Sequence, residues 1–141
     1  RKGDFPYWIA KEFSDVFAYK PNMIVIKLGT NDTKPGNWNQ ERYQTDYQAM
    51  IDTFETITTH PKIYLCYPVP VFETRWGIND STVINGIIPV IDELAKSNNL
   101  QVIDLYHGMS NQKANFPDGI HPNEEAVKQM AGIIAAALQK N

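Results

Sequence analysis

Apolar side chains at Ile9, Phe13, Val16 and Phe17 recur at helical spacing among the charged Lys11, Glu12 and Asp15, which predicts an amphipathic helix over Tyr7 to Tyr19 that Pro21 closes. The run Met23-Ile24-Val25-Ile26-Lys27-Leu28 is nearly continuous and β-branched and ends at Gly29, the pattern of a central strand buried on both faces of a sheet. Helical spacing returns from Gln40 to Thr59 through Tyr43, Tyr47, Met50, Ile51, Phe54 and Ile57, with Pro61 as the stop. Lys62 to Tyr67 reads as a second strand. It runs into Tyr67-Pro68-Val69-Pro70, which no central ladder accommodates. A third helix is expected over Thr82 to Ser97, with Ser81 as its N-cap and Pro89 either kinking it or marking its true first turn. Gln101 to Leu105 reads as a third strand. A polar loop, Tyr106 to Pro122, leads into a last helix, Glu124 to Gln139, with Val127, Met130, Ile134 and Leu138 as its stripe.

Helices alternate with strands, and the segments between strands are long enough for right-handed crossovers. These features predict parallel strands in a three-layer α/β/α arrangement. Ligands of such sheets sit just beyond the carboxyl ends of the strands, which directs attention to residues 29–38, 67–76 and 106–122. Composition then removes several function classes. The 141 residues are 43% hydrophobic and 21% charged, the balance of one globular domain, and the net charge of -3 comes with no basic run to neutralise nucleic acid. No apolar stretch approaches the ~20 residues of a membrane-spanning helix. The single cysteine, Cys66, lacks a partner for an internal disulfide or a zinc site and reads as a small buried apolar residue.

Two loops carry candidate chemistry. In Gly29-Thr30-Asn31-Asp32, Asn31 or Asp32 could simply cap a short helix; alternatively, an Asn31 amide at the sheet edge could donate to a developing oxyanion, with Gly29 allowing close backbone approach. In Asp118-Gly119-Ile120-His121-Pro122-Asn123, the acid and imidazole are three residues apart just before a helix that Asn123 is placed to cap. His121 could be a surface residue, or a general base whose tautomer is set by Asp118. A metal would need a third ligand, and none is in view. Aromatic and cationic side chains near the same edge, Trp38, Phe72, Arg75 and Trp76, are candidate substrate contacts, with exposure expected for Trp38 and Trp76 and a surface salt bridge for Arg75.

These two loops resemble blocks of the SGNH hydrolases, the GDSL-type esterases and lipases, and the likeness extends over the whole chain. The resemblance implies a flavodoxin-like α/β/α fold and a serine esterase needing no cofactor. In it His121 is the general base, Asp118 its orienting carboxylate and Asn31 an oxyanion donor, while Gly29 and Asp32 shape the turn. Thr33-Lys34-Pro35-Gly36-Asn37-Trp38 looks like the branch of carbohydrate O-acetylesterases. A small ester or acylated sugar is then the expected substrate, and an extracytoplasmic location is implied.

The family's nucleophile lies in a Gly-Asp-Ser segment after its first strand, and a second oxyanion glycine follows its second strand; neither block is found. Gly3-Asp4 is followed by Phe5, and Ser14, Ser81, Ser97 and Ser110 fall in helices, at helix ends or in a polar loop. With the first residues being Arg1-Lys2-Gly3, we expect a single C-terminal portion, residues 1–141, of an SGNH domain whose first two strands and nucleophile lie elsewhere. Met23 to Leu28 would then present an open edge, suited to pairing with the absent half or with another copy. The rival reading is a non-catalytic carbohydrate- or protein-binding module on the same scaffold. A nucleotide-binding protein fits less well without a Gly-rich phosphate loop, as does a receiver domain without a Lys after the last strand.

Overall fold

The computed structural model describes residues 6–140. Its elements follow in the order α1 (Lys11–Tyr19), β1 (Met23–Ile26), α2 (Gln40–Glu55), β2 (Lys62–Cys66), α3 (Asp80–Thr82), α4 (Ile88–Ser97), β3 (Gln101–Ile103), α5 (Leu105–Gly108) and α6 (Glu124–Leu138). The strands pair in parallel in the order β1-β2-β3, with Ile24 opposite Ile63 and Leu65 opposite Val102.

Strand alternation divides the core into the two halves that make three layers. Ile24, Ile26, Ile63 and Leu65 pack with Tyr47, Ile51 and Phe54 of α2 and Ile91 and Leu94 of α4. Val25, Tyr64, Cys66 and Ile103 meet Ala126 and Met130 of α6 on the opposite face. Each fully buried side chain of this size contributes about 1.5–3 kcal/mol, so the two-sided burial of β2 fixes the register of the sheet. No helix among the described residues is long and apolar enough to cross a membrane.

Several expectations are corrected. Tyr7–Ile9 form a separate 3-10 turn and Ala10 is extended, so α1 begins only at Lys11 and Ile9 leaves the apolar stripe, 82% exposed. Phe13 and Phe17 stay on it and stack on Phe54, with centroids 5.6 and 6.2 Å away. Among the described residues β1 has β2 on one side only. Met23 is half exposed, burial is complete only at Ile26, and a groove of about 620 Å³ runs along β1 beside Tyr7, Val16 and Phe54. The run reads as that of a central strand, but within the described residues β1 is the open edge expected where the first two strands lie elsewhere.

The third helical segment starts at Asp80 because the Asn79 side chain accepts the Thr82 N–H at 2.9 Å. Ser81, expected as the cap, lies in the first turn instead, where its hydroxyl accepts from Asn85 Nδ2. A wide π turn over Val83–Ile87 precedes α4, leaving Pro89 in the first turn of α4, where its missing N–H is tolerated. In α6, Asn123 accepts the Ala126 N–H at 3.0 Å, as a cap should. Val127 points away from the core, which takes Ala126 and Met130 with Ile133 and Ile134 instead.

Candidate active site

The loop after β1 is shaped by a close approach. Gly29 has φ +133°, and a Cβ there would lie 2.8 Å from both Ile87 Cγ2 and the Tyr43 hydroxyl, which itself donates to the Leu28 carbonyl. The chain then tightens as the Asp32 N–H donates to the Gly29 carbonyl at 3.0 Å and Thr33 Oγ1 to the Thr30 carbonyl at 2.8 Å. Residues Asn31–Thr33 form a 3-10 turn without any side-chain cap, so neither Asn31 nor Asp32 serves in that way. Asn31 is exposed; its main-chain carbonyl accepts from Asn37 Nδ2, while its own amide makes no hydrogen bond to the described residues. Asp32 is more enclosed, and burial raises its carboxyl pKa, opposed by its own backbone N–H.

The second loop holds a carboxylate by the main chain. Gly119 has φ +79° and lies against Glu73, where a Cβ would come 2.8 Å from the Glu73 nitrogen. This turn lets Asp118 Oδ1 accept the N–H groups of Ile120 at 2.9 Å and His121 at 2.7 Å, while Oδ2 faces His121 Nδ1 at 2.6 Å. The His121 N–H, then the His121 ring, then the Ile120 N–H hold the Asp118 carboxyl well below the usual carboxylate range. A charged acceptor on one ring nitrogen leaves Nε2 as the basic one. That nitrogen has no hydrogen-bond partner among the described residues.

His121, Gly29, Asn31 and Asp32 line one cleft of about 450 Å³ at the carboxyl end of β1, together with Lys34 and Arg42. The four candidate substrate contacts separate. Trp76 is exposed, with its ring 6.0 Å from that of His121. Arg75 pairs with Glu73 at 3.1 Å, both half exposed. Phe72 packs on Phe116, their centroids 5.0 Å apart. Trp38, expected to be exposed, is only partly so, because it seats on Gly86 in the π turn and stacks near Tyr43. Cys66 is fully buried, which pushes its thiol up to about 11 and leaves it unreactive at neutral pH. No group of three or more metal-ligating side chains gathers among the described residues.

None of the serine hydroxyls is hydrogen-bonded to His121. Ser14 donates to the Lys11 carbonyl at 2.7 Å, Ser81 accepts from Asn85 and Ser97 is exposed at the end of α4. Ser110 donates to the main-chain carbonyl of His107 at 2.9 Å. Gly3, Asp4 and Phe5 lie outside the described residues. A second turn like that of Asp118 and His121 is present, in which Asp104 caps the His107 N–H at 2.9 Å and faces its Nδ1 at 2.7 Å. The matching Asp-x-x-His spacing was the available signal.

A parallel sheet thus brings an acid-clamped imidazole and an exposed amide to one cleft at its carboxyl edge, a base and a hydrogen-bond donor of the kind that acyl transfer uses alongside a nucleophile. The chain belongs to the GDSL-like lipase/acylhydrolase family, whose model matches residues 4–128. It is 41% identical to an acetylxylan esterase of Xylanibacter ruminicola over 98% of its own length, and spans about a third of that relative, 33%. Among solved structures it resembles a GDSL-like lipase from Bacteroides thetaiotaomicron, at 25% identity and TM-score 0.73 over 92% of this chain and 68% of that one. A carbohydrate esterase family 3 protein from Talaromyces cellulolyticus, 20% identical with TM-score 0.73 over 92% of this chain and 63% of that one, shares the fold.

Proposed function

We propose that this chain is the C-terminal portion of a single SGNH hydrolase domain and supplies the general base, its orienting carboxylate and one oxyanion donor of a serine ester hydrolase that removes acetyl groups from a carbohydrate. The observation that carries this reading is the doubly clamped Asp118–His121 pair on the cleft it shares with Asn31. In the reaction His121 Nε2 takes the proton of a serine hydroxyl as its oxygen attacks the ester carbonyl, and Asn31 Nδ2 donates to the resulting oxyanion. The protonated imidazole, stabilised by Asp118, gives its proton to the departing sugar hydroxyl. Water then attacks the acetyl-enzyme by the same route, releasing acetate and restoring the serine.

The placements of Ser14, Ser81, Ser97 and Ser110 support a nucleophile outside these 141 residues. The substrate class is supported by the acetylxylan esterase to which the chain is similar. In this reading the open edge of β1 is taken by a strand of the parent domain, and the isolated chain associates through it. Labelling the full-length gene product with a fluorophosphonate tests the assignment. The label should fall on a serine outside the 141 residues, and the isolated chain should take up none. Stoichiometric label on Ser110, or on any of the other three, would sink it.

A further inference from the structure

Trp76 stands at the tip of a two-residue hairpin. The Arg75 N–H donates to the Ile78 carbonyl at 3.3 Å and the Ile78 N–H to the Arg75 carbonyl at 2.8 Å, with φ +53° at Trp76 and +81° at Gly77. Two positive φ values in succession make a type I′ turn, whose first position favours Asn, Asp or Gly and penalises a bulky side chain. Packing gives no compensation, because the residue is 64% exposed.

The hairpin is nevertheless fastened to both loops of the site. Asn79 donates from its main chain to Thr33 Oγ1 at 3.2 Å and from Nδ2 to the Thr33 carbonyl at 3.0 Å, which ties it to the Asn31 turn. At its other end the Phe72 N–H donates to the Gly119 carbonyl at 2.8 Å, which ties it to the Asp118–His121 turn. An unfavourable backbone conformation thus holds a bare indole at 50° to the His121 ring, in a frame that both loops fix. Strain of this kind at a site points to function.

We infer that Trp76 is a stacking platform for the pyranose ring that carries the ester, an assignment that rests on the reading of His121 as the base. The indole face is electron-rich and rigid, and the C–H hydrogens that line one face of a pyranose are weakly positive, so the two surfaces match at low entropic cost. The neighbouring cation, Arg75, is already paired with Glu73, which suits a neutral sugar better than an acidic one.

The test compares Trp76→Ala, Trp76→Asn and Trp76→Phe in the full-length gene product on acetylated xylo-oligosaccharide and on 4-nitrophenyl acetate, which has no sugar. The ratio of the two kcat/KM values should fall about 10- to 100-fold for Ala and for Asn, mainly through KM for the oligosaccharide, with Phe between them and wild type. Asn suits the turn, so recovery of the ratio by Asn would show a purely structural role and overturn the proposal. A ratio within twofold of wild type in the Ala variant would do the same. The esterase reading fails separately, if wild type cleaves neither ester or if His121→Ala keeps its activity. Titration with unacetylated xylo-oligosaccharide then decides on stacking alone: a shift of the Trp76 indole N–H resonance supports it, and an unmoved resonance overturns it.

Discussion

Two Asp-x-x-His turns lie on this chain, and locally they are near copies. Asp104 accepts the His107 N–H at 2.9 Å and faces Nδ1 at 2.7 Å; Asp118 does the same for His121 at 2.7 and 2.6 Å. Both imidazoles are exposed. The differences lie in what surrounds them. Asp118 takes a further N–H from Ile120 and is the less exposed carboxylate, 28% against 45%. His121 lines the cleft with Asn31 beside Trp76, whereas His107 meets Tyr106 edge to face, with centroids 5.3 Å apart, and does not line that cleft. An acid-clamped imidazole is thus a product of local turn geometry, and only its place relative to the sheet edge makes it a candidate base.

The comparison breaks most readily on the two histidines. In the full-length gene product His121→Ala should reduce kcat for an acetyl ester by about 10⁶-fold, whereas His107→Ala should change it less than twofold. Equal losses would put the base in the wrong turn. The carboxylates come next: Asp118→Asn should cost about 10⁴-fold in kcat by favouring the wrong tautomer, and Asp104→Asn almost nothing. Asn31→Ala should be milder, about 10²- to 10³-fold, since it removes one oxyanion donor.

The smallest effect concerns pH. Because the folded-state pKa of Asp118 is depressed, its contribution to stability is complete above the unfolded value of about 3.9 and is lost only as pH falls through the much lower folded value. The carboxyl carbon resonance of Asp118 should therefore show no protonation step of its own near pH 4, and an acid limb of the rate profile there belongs to another group. Titration of Asp118 near its ordinary value would mean that the clamp does not form in solution.

The architecture was legible because its causes are periodic. The Met23 to Leu28 run, the stripes of α2 and α6 and the crossover lengths together put residues 29–38 and 106–122 on one edge of a parallel sheet. Long-range fit was not legible. That Trp38 seats on Gly86 depends on a π turn, which in turn depends on where Pro89 and the Asn79 cap place the start of the helix. Ile9 and Val127 obey helical spacing but are exposed, the first because Ala10 is extended and the second because α6 presents Ala126 and Met130. The open edge of β1 could be read only from the strand blocks missing before it and not from its own run, which looks buried on both sides, since composition reports the side chains and not which strand takes the hydrogen bonds. In the site, the spacing of Asp118 and His121 was readable, but the main-chain donors that hold Asp118 appear only once Gly119 turns.

The hairpin that carries Trp76 has a consequence for hydrogen exchange. Its ties to Thr33 and to the Gly119 carbonyl join three surface loops that are far apart in sequence into one unit. Loops on a protein surface ordinarily exchange their amide protons through small independent openings. Here the amides of Phe72, Asn79, Ile120 and His121 are each donated across or within that unit, so releasing one loop requires letting go of the others. These four protons should exchange at a common slow rate, as one cooperative patch on an otherwise fast-exchanging face.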